Sequence, residues 1–197
     1  MNYTFFWIII IIIIIIIILW IIYNSTKKIY VESEIDNNKY LVQNNPDKIK
    51  AANILADVNR RITILINYLE KNKNKYLEYK PYINRLENRA ASLVLQENGI
   101  NSHGTSYTIN KGDKIVLCIR SKDSNEIHDI NLVMYVVLHE LAHIACPELN
   151  HTDLFRKIFI FFIEISIKLG IYEHTNYVID PKEYCGMLIN ENLLNNN

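Results

Sequence analysis

The chain has 197 residues, half of them hydrophobic, with 21 Lys and Arg against 21 Asp and Glu. Apart from an apolar N-terminal run, that length suffices for one domain with a sizeable core, and zero formal net charge does not support the basic excess by which proteins usually hold nucleic acid. Its three cysteines, Cys118, Cys146 and Cys185, are an odd number for a secreted disulfide framework and suit a reducing compartment.

Residues 1–4 read as a short N-terminal tail and residues 5–23 as unbroken apolar sequence, with isoleucine at every position from Ile8 to Ile18. About 20 apolar residues are needed to cross the hydrocarbon core, so a transmembrane helix is expected over 5–23. Trp7, Trp20 and Tyr23 lie near its ends, where amphipathic aromatics favour the membrane interface. A cleaved signal peptide is the rival, but there is no basic n-region and no small-x-small cleavage site. Lys27 and Lys28 follow the run, which places the remainder in the cytosol by the positive-inside rule. A glycan on the acceptor pattern Asn150-His151-Thr152 would crowd the site described below, which agrees with that orientation.

Residues 24–46 are polar and read as a tether. Pro46 then suits the start of a helix, and Ile49, Ala52, Leu55, Val58, Ile62, Leu65, Ile66 and Leu69 follow at spacings of three and four, one apolar stripe. A second helix or irregular segment covers 81–95. Ser106–Ile109 and Lys114–Arg120 are β-like runs around the turn Asn110-Lys111-Gly112-Asp113 and predict a hairpin. From Ile130 the chain becomes helical, and Thr152 caps a further helix closed by Gly170. Arg60, Arg61, Arg85 and Arg89 keep nucleic acid as a conceivable partner, although solvated helix faces are the plainer reading.

The most informative residues are His139-Glu140-Leu141-Ala142-His143. Two histidines four apart share one helical face, so both imidazoles reach a single metal ion. The glutamate beside the first is placed to take a proton from a water at that metal. Zinc suits this pattern because it takes nitrogen ligands tetrahedrally and keeps one position open in catalytic sites. The run from Leu132 to Leu138 is apolar, so the helix is buried, where bare histidines need a partner. His151 is the leading candidate for a third ligand: Pro147 stops the helix and the chain can turn back. Glu164 is the main competitor, imitating a two-histidine, one-carboxylate site; Glu148 and His174 are weaker options.

The stretch from Tyr135 to Phe155, with HELAH, a short loop, Asn150-His151-Thr152 and Phe155, resembles the WLM-domain metallopeptidases. These are relatives of the SprT-like zinc proteases that act on DNA–protein crosslinks, and the likeness is to the versions in large DNA viruses of eukaryotes. It extends to Tyr107–Gly112, Ile115–Arg120, Gly170-Ile171-Tyr172 and Pro181–Met187. The resemblance implies zinc on His139, His143 and His151, Glu140 as general base, a protein or peptide substrate, and a metallopeptidase domain over 47–189. It also implies that the membrane is that of a host cell or virion, with 190–197 left as a disordered Asn-rich tail.

The expected architecture is therefore an α+β zincin-like domain, with a small antiparallel sheet and an active-site helix, behind one transmembrane helix. Ile115–Arg120 is the candidate edge strand above the metal, with an ordinary core strand as the alternative. Phe155, Phe159, Phe161 and Phe162 read as core. Tyr177 or Tyr184 is a candidate oxyanion donor, with simple packing as the plainer reading. The expected function is a membrane-anchored zinc metallopeptidase. The alternatives are a non-catalytic, zinc-stabilised interaction module and a protease of the DNA–protein crosslink type.

Overall fold

In the computed structural model, which describes residues 3–25, 27–99, 102 and 104–194, the apolar run forms helix α1, Tyr3–Ser25. Its side chains between Phe6 and Ile21 are largely exposed. Among the described residues no helix is long and apolar enough to cross a membrane. The transmembrane span expected over 5–23 is corrected on this finding, and with it the single-pass anchoring and cytosolic orientation. Residues 1 and 2 of the expected N-terminal tail lie outside the described residues.

The stretch expected as a tether contains strands β1, Lys28–Glu32, and β2, Lys39–Gln43, paired antiparallel with Tyr30 opposite Leu41. Helix α2, Lys48–Asn72, buries Ala52, Leu55, Val58, Ile62, Leu65 and Leu69 of the predicted stripe, while Ile49 at its start stays exposed. Helix α3, Lys80–Ala90, then leads into β3, Val94–Glu97. The predicted hairpin is present as β4, Tyr107–Ile109, and β5, Lys114–Leu117, with Tyr107 opposite Val116. Its turn places Asn110, Lys111 and Gly112 at φ of 51°, 54° and 137°. At Gly112 a Cβ would stand 2.8 Å from the Arg89 carbonyl oxygen, so only glycine fits.

The five strands form one sheet in the order β1-β2-β3-β5-β4. The expected antiparallel sheet is corrected: β3 runs parallel to both β2 and β5, giving a mixed sheet in an α/β fold. Parallel neighbours need a long crossover, and α2 with α3 supplies one between β2 and β3. The candidate edge strand is corrected as well. Strand β5 lies between β3 and β4 and is buried, so the free edge beside it belongs to β4.

Helix α4, Ile130–Ala145, starts where the Asp129 carboxylate accepts from Asn131 N–H at 2.8 Å. It ends where Cys146, ahead of Pro147, turns extended. Helix α5, Asp153–Lys168, starts on the Thr152 side chain, which accepts from Phe155 N–H, and stops at Gly170 with φ +66°. Strands β6, Lys182–Tyr184, and β7, Met187–Ile189, make a separate hairpin. After it Leu193 and Leu194 pack against the core, whereas residues 195–197 of the tail lie outside the described residues.

Two links tie distant segments together. Arg120 is 3% exposed and donates through Nε to Glu97 at 2.7 Å and through Nη1 to Asp47 at 2.6 Å. Glu97 is fully buried, and burial raises its carboxyl above the usual range although Gln43 N–H and Arg120 favour the charged form. Arg120→Met removes one partner and leaves that carboxylate buried. A loss of about 3–5 kcal/mol is expected in urea unfolding; a change within 1 kcal/mol would show the pair to be dispensable.

The second link is a disulfide between Cys118 and Cys185, with Cα atoms 6.3 Å apart. It corrects the reading of three reduced cysteines; Cys146 alone is free, and it is buried. The bridge closes a loop of 67 residues, for which chain entropy gives about 4 kcal/mol. Cys118→Ser should therefore unfold at clearly lower urea than the oxidised wild type, and dithiothreitol should bring the wild type to the same midpoint. Unmoved midpoints in both cases would mean that the bridge adds nothing.

Candidate active site

Helix α4 is buried along most of its length, so its histidines are held by packing rather than by reach. His139 and His143 lie one turn apart, and the loop from Cys146 to Thr152 returns His151 to the same point. The three Nε2 atoms stand 3.1 Å (His139–His143), 3.2 Å (His143–His151) and 3.0 Å (His139–His151) apart. Tetrahedral zinc, with Zn–N bonds of about 2.0–2.1 Å, spaces its ligands by about 3.3 Å. The donor set and its spacing therefore fit such an ion, and among the described residues this trio is the cluster of metal-ligating groups.

The surroundings keep the imidazoles in the form a metal needs. Phe155 stacks on His143 with ring centroids 4.2 Å apart, and Phe159 meets the His139 ring edge-on at 5.2 Å. Burial, then the neighbouring His143 and His151, pushes His139 down to about 3; burial, then His151 and Lys111, pushes His143 down to about 4. Both rings are therefore neutral at physiological pH, with a nitrogen lone pair available to a cation.

Glu140 is 6% exposed, and burial raises its carboxyl above the usual range. Its Oε2 accepts from Thr108 Oγ1 at 2.7 Å, which works in the opposite sense. Thr108 lies on β4, so the sheet edge stands directly over the motif helix.

A cleft of about 530 Å³ opens here. Ser106, with Tyr107 and Thr108 of β4, forms one wall, the three histidines and Glu140 the floor, and Tyr184, Met187 and Ile189 of the β6–β7 hairpin the far side. Tyr184 is buried with its hydroxyl 2.7 Å from Ser106 Oγ, which in turn accepts from Cys118 N–H. Tyr177 packs edge-on against Tyr135 at 4.9 Å and does not line the cleft. Of the rival ligands, Glu164 is exposed on α5 and His174 meets Asn192. Glu148 lines the cleft but accepts from the Thr152 hydroxyl. Neither Glu164, His174 nor Glu148 joins the histidine trio.

The four phenylalanines are buried as expected, with Phe161 stacked on Tyr79 at 4.0 Å. Arg60 pairs with Asp57, and Arg61 with Asp57 and the Ile171 carbonyl, while Arg85 and Arg89 are half-buried, so these arginines form no free basic face. Sequence reasoning missed Thr108 and, apart from Tyr184, the β6–β7 wall. Thr108 sat in a predicted strand, but its partner is 32 residues away in sequence.

With this geometry in hand, comparison places the chain among viral proteins. It is 58% identical over 165 residues to protein R325 of Acanthamoeba polyphaga mimivirus, covering 84% of each. It is 30% identical over 174 residues to protein 136R of Invertebrate iridescent virus 6, covering 85% of this chain and 90% of that one. The chain belongs to this viral family. A shorter match, 41% identical over 83 residues, is to protein 042R of Invertebrate iridescent virus 3, half of whose length it covers. No family model matches the chain. Among solved structures, Wss1 from Saccharomyces cerevisiae aligns with a TM-score of 0.49 at 18% identity, over 66% of this chain and 87% of that one.

Proposed function

We propose that this member of the viral family is a zinc metallopeptidase acting on protein or peptide substrates. The observation that carries the reading is the convergence of three imidazole Nε2 atoms beside a buried glutamate, at the floor of a cleft bordered by a sheet edge. His139, His143 and His151 would hold the ion. Bound there, zinc would polarise the scissile carbonyl and lower the pKa of a water toward about 7.

The chain's own residues supply the rest. Among the described residues no strand pairs with the outer edge of β4, and an extended peptide can add to such an edge by main-chain hydrogen bonds, which lays the scissile bond across the floor. Glu140 takes a proton from the attacking water and passes it to the departing amine nitrogen. Its raised carboxyl pKa suits both halves of that task, since a group that only accepted a proton would not release it as acid. The phenylalanines packed on the His139 and His143 rings hold those imidazoles in place.

The test is zinc content of the purified protein together with cleavage of a denatured protein substrate. Stoichiometric zinc, cleavage abolished by o-phenanthroline and cleavage restored by added zinc are expected. Zinc without any cleavage across a broad substrate panel would turn the reading into that of a zinc-stabilised interaction module.

A further inference from the structure

The carboxylate of Glu140 has two oxygens that differ in surroundings, and the peptidase reading uses only one of them. Oε2 accepts from Thr108 Oγ1 at 2.7 Å. Among the described residues Thr108 is the one side-chain donor to that carboxylate, which is 6% exposed. We propose that Thr108 is a positioning residue: its hydroxyl occupies Oε2 and turns Oε1 toward the histidine trio as the oxygen that accepts the proton.

The steric case rests on the strand that carries it. Thr108 pairs with Ile115 in the middle of the three-residue strand β4. The start of β4 is fixed by Ser106, whose Oγ accepts from Cys118 N–H at 3.0 Å and meets the Tyr184 hydroxyl at 2.7 Å. The hydroxyl is therefore presented by a backbone held along one edge by β5 and anchored at its start through Ser106, and it meets Glu140 of the motif helix. A glutamate side chain has three rotatable bonds, and nothing on α4 itself fixes its terminal torsion, which is broad for a carboxylate. A single charge-assisted donor of normal length is enough to select one orientation.

The chemical case follows from lone-pair occupancy. Proton transfer moves one proton from the attacking water to Glu140 and later from Glu140 to the leaving nitrogen; no net charge is created on the enzyme. An oxygen already accepting a strong hydrogen bond is the less basic of the two, so the proton lands on Oε1 and stays on the side that faces the substrate. Without the hydroxyl, the carboxylate rotates and its reactive oxygen is in place only part of the time.

This inference rests on the peptidase reading, and its test separates the two. Thr108→Val keeps the shape and removes the hydroxyl; Thr108→Ser keeps the hydroxyl. Thr108→Val should lower kcat by about 10–100-fold, the range for removal of an outer-shell partner, with KM and zinc content within about twofold of wild type. Thr108→Ser should recover most of that loss. In the metal-free protein, the side-chain carboxyl carbon of Glu140, assigned by its disappearance in Glu140→Gln, should shift in the ¹³C spectrum of Thr108→Val and return in Thr108→Ser. Unchanged kcat in Thr108→Val, failure of serine to rescue, loss of zinc in the valine variant, or an unmoved carboxyl resonance would each overturn the role of Thr108. A wild type that cleaves nothing overturns the peptidase reading, and the carboxyl resonance then still decides whether Thr108 holds Glu140.

Discussion

Glu140→Gln should abolish most cleavage while leaving zinc and fold intact. The amide has nearly the shape of the carboxylate, and its carbonyl oxygen can still accept from Thr108 Oγ1. What it cannot do is take a proton from water at neutral pH. General-base assistance contributes about 10²–10⁴-fold, so kcat/KM should fall by that factor. Metal content should stay at the wild-type level, because the glutamate is not among the three groups whose nitrogens converge. Stability should hold or rise slightly, since burial penalises the charged carboxylate at this position and the neutral amide escapes the penalty. Wild-type cleavage by this variant would remove Glu140 from the chemistry, and loss of zinc would mean that the side chain shapes the metal site itself.

The parts of this molecule that were legible in the sequence are those governed by short-range rules. Two histidines at i and i+4 must share a helical face, whatever the rest of the chain does. Pro147 forces Cys146 extended and so ends α4 two residues past His143. Thr152 caps α5 through Phe155 N–H, and the Asn110-Lys111-Gly112 turn joins β4 to β5, both from local backbone chemistry.

What was not legible depends on partners far along the chain. Strand β3 follows α3 after a short link and carries no apolar run that marks it, because two of its three buried residues are the polar Gln96 and Glu97, and Glu97 is held there by Gln43 N–H and Arg120 from far along the chain. The candidate edge strand was assigned to β5, whose apolar run reflects burial in the sheet rather than exposure at the cleft. The Cys118–Cys185 bridge spans 67 residues, and an odd cysteine count says nothing of which two lie within reach. In α1 the isoleucine run has no helical periodicity at all, so composition alone carried the membrane expectation.

The third ligand is where geometry discriminates most sharply between two readings of the same chain. His151→Ala should lose zinc affinity by more than the roughly 10–100-fold that removal of an outer-shell partner costs, and cleavage should disappear with it. His151 Nε2 lies 3.0 Å and 3.2 Å from the other two nitrogens, as close as those two lie to each other. The position is held without a long flexible reach: Thr152, its neighbour, is fixed as the cap of α5, and the Phe155 ring packs 4.9 Å from the His151 ring. Glu164, by contrast, is exposed two and a half turns further along α5, where its charge is felt by Tyr79 rather than by any histidine. Glu164→Ala should therefore leave metal content and activity at wild-type levels. Plasma emission on both variants after gel filtration decides the matter. Retained zinc in His151→Ala together with depleted zinc in Glu164→Ala would replace the three-histidine site by a two-histidine, one-carboxylate one, and would require α5 to turn its exposed face inward when the metal binds.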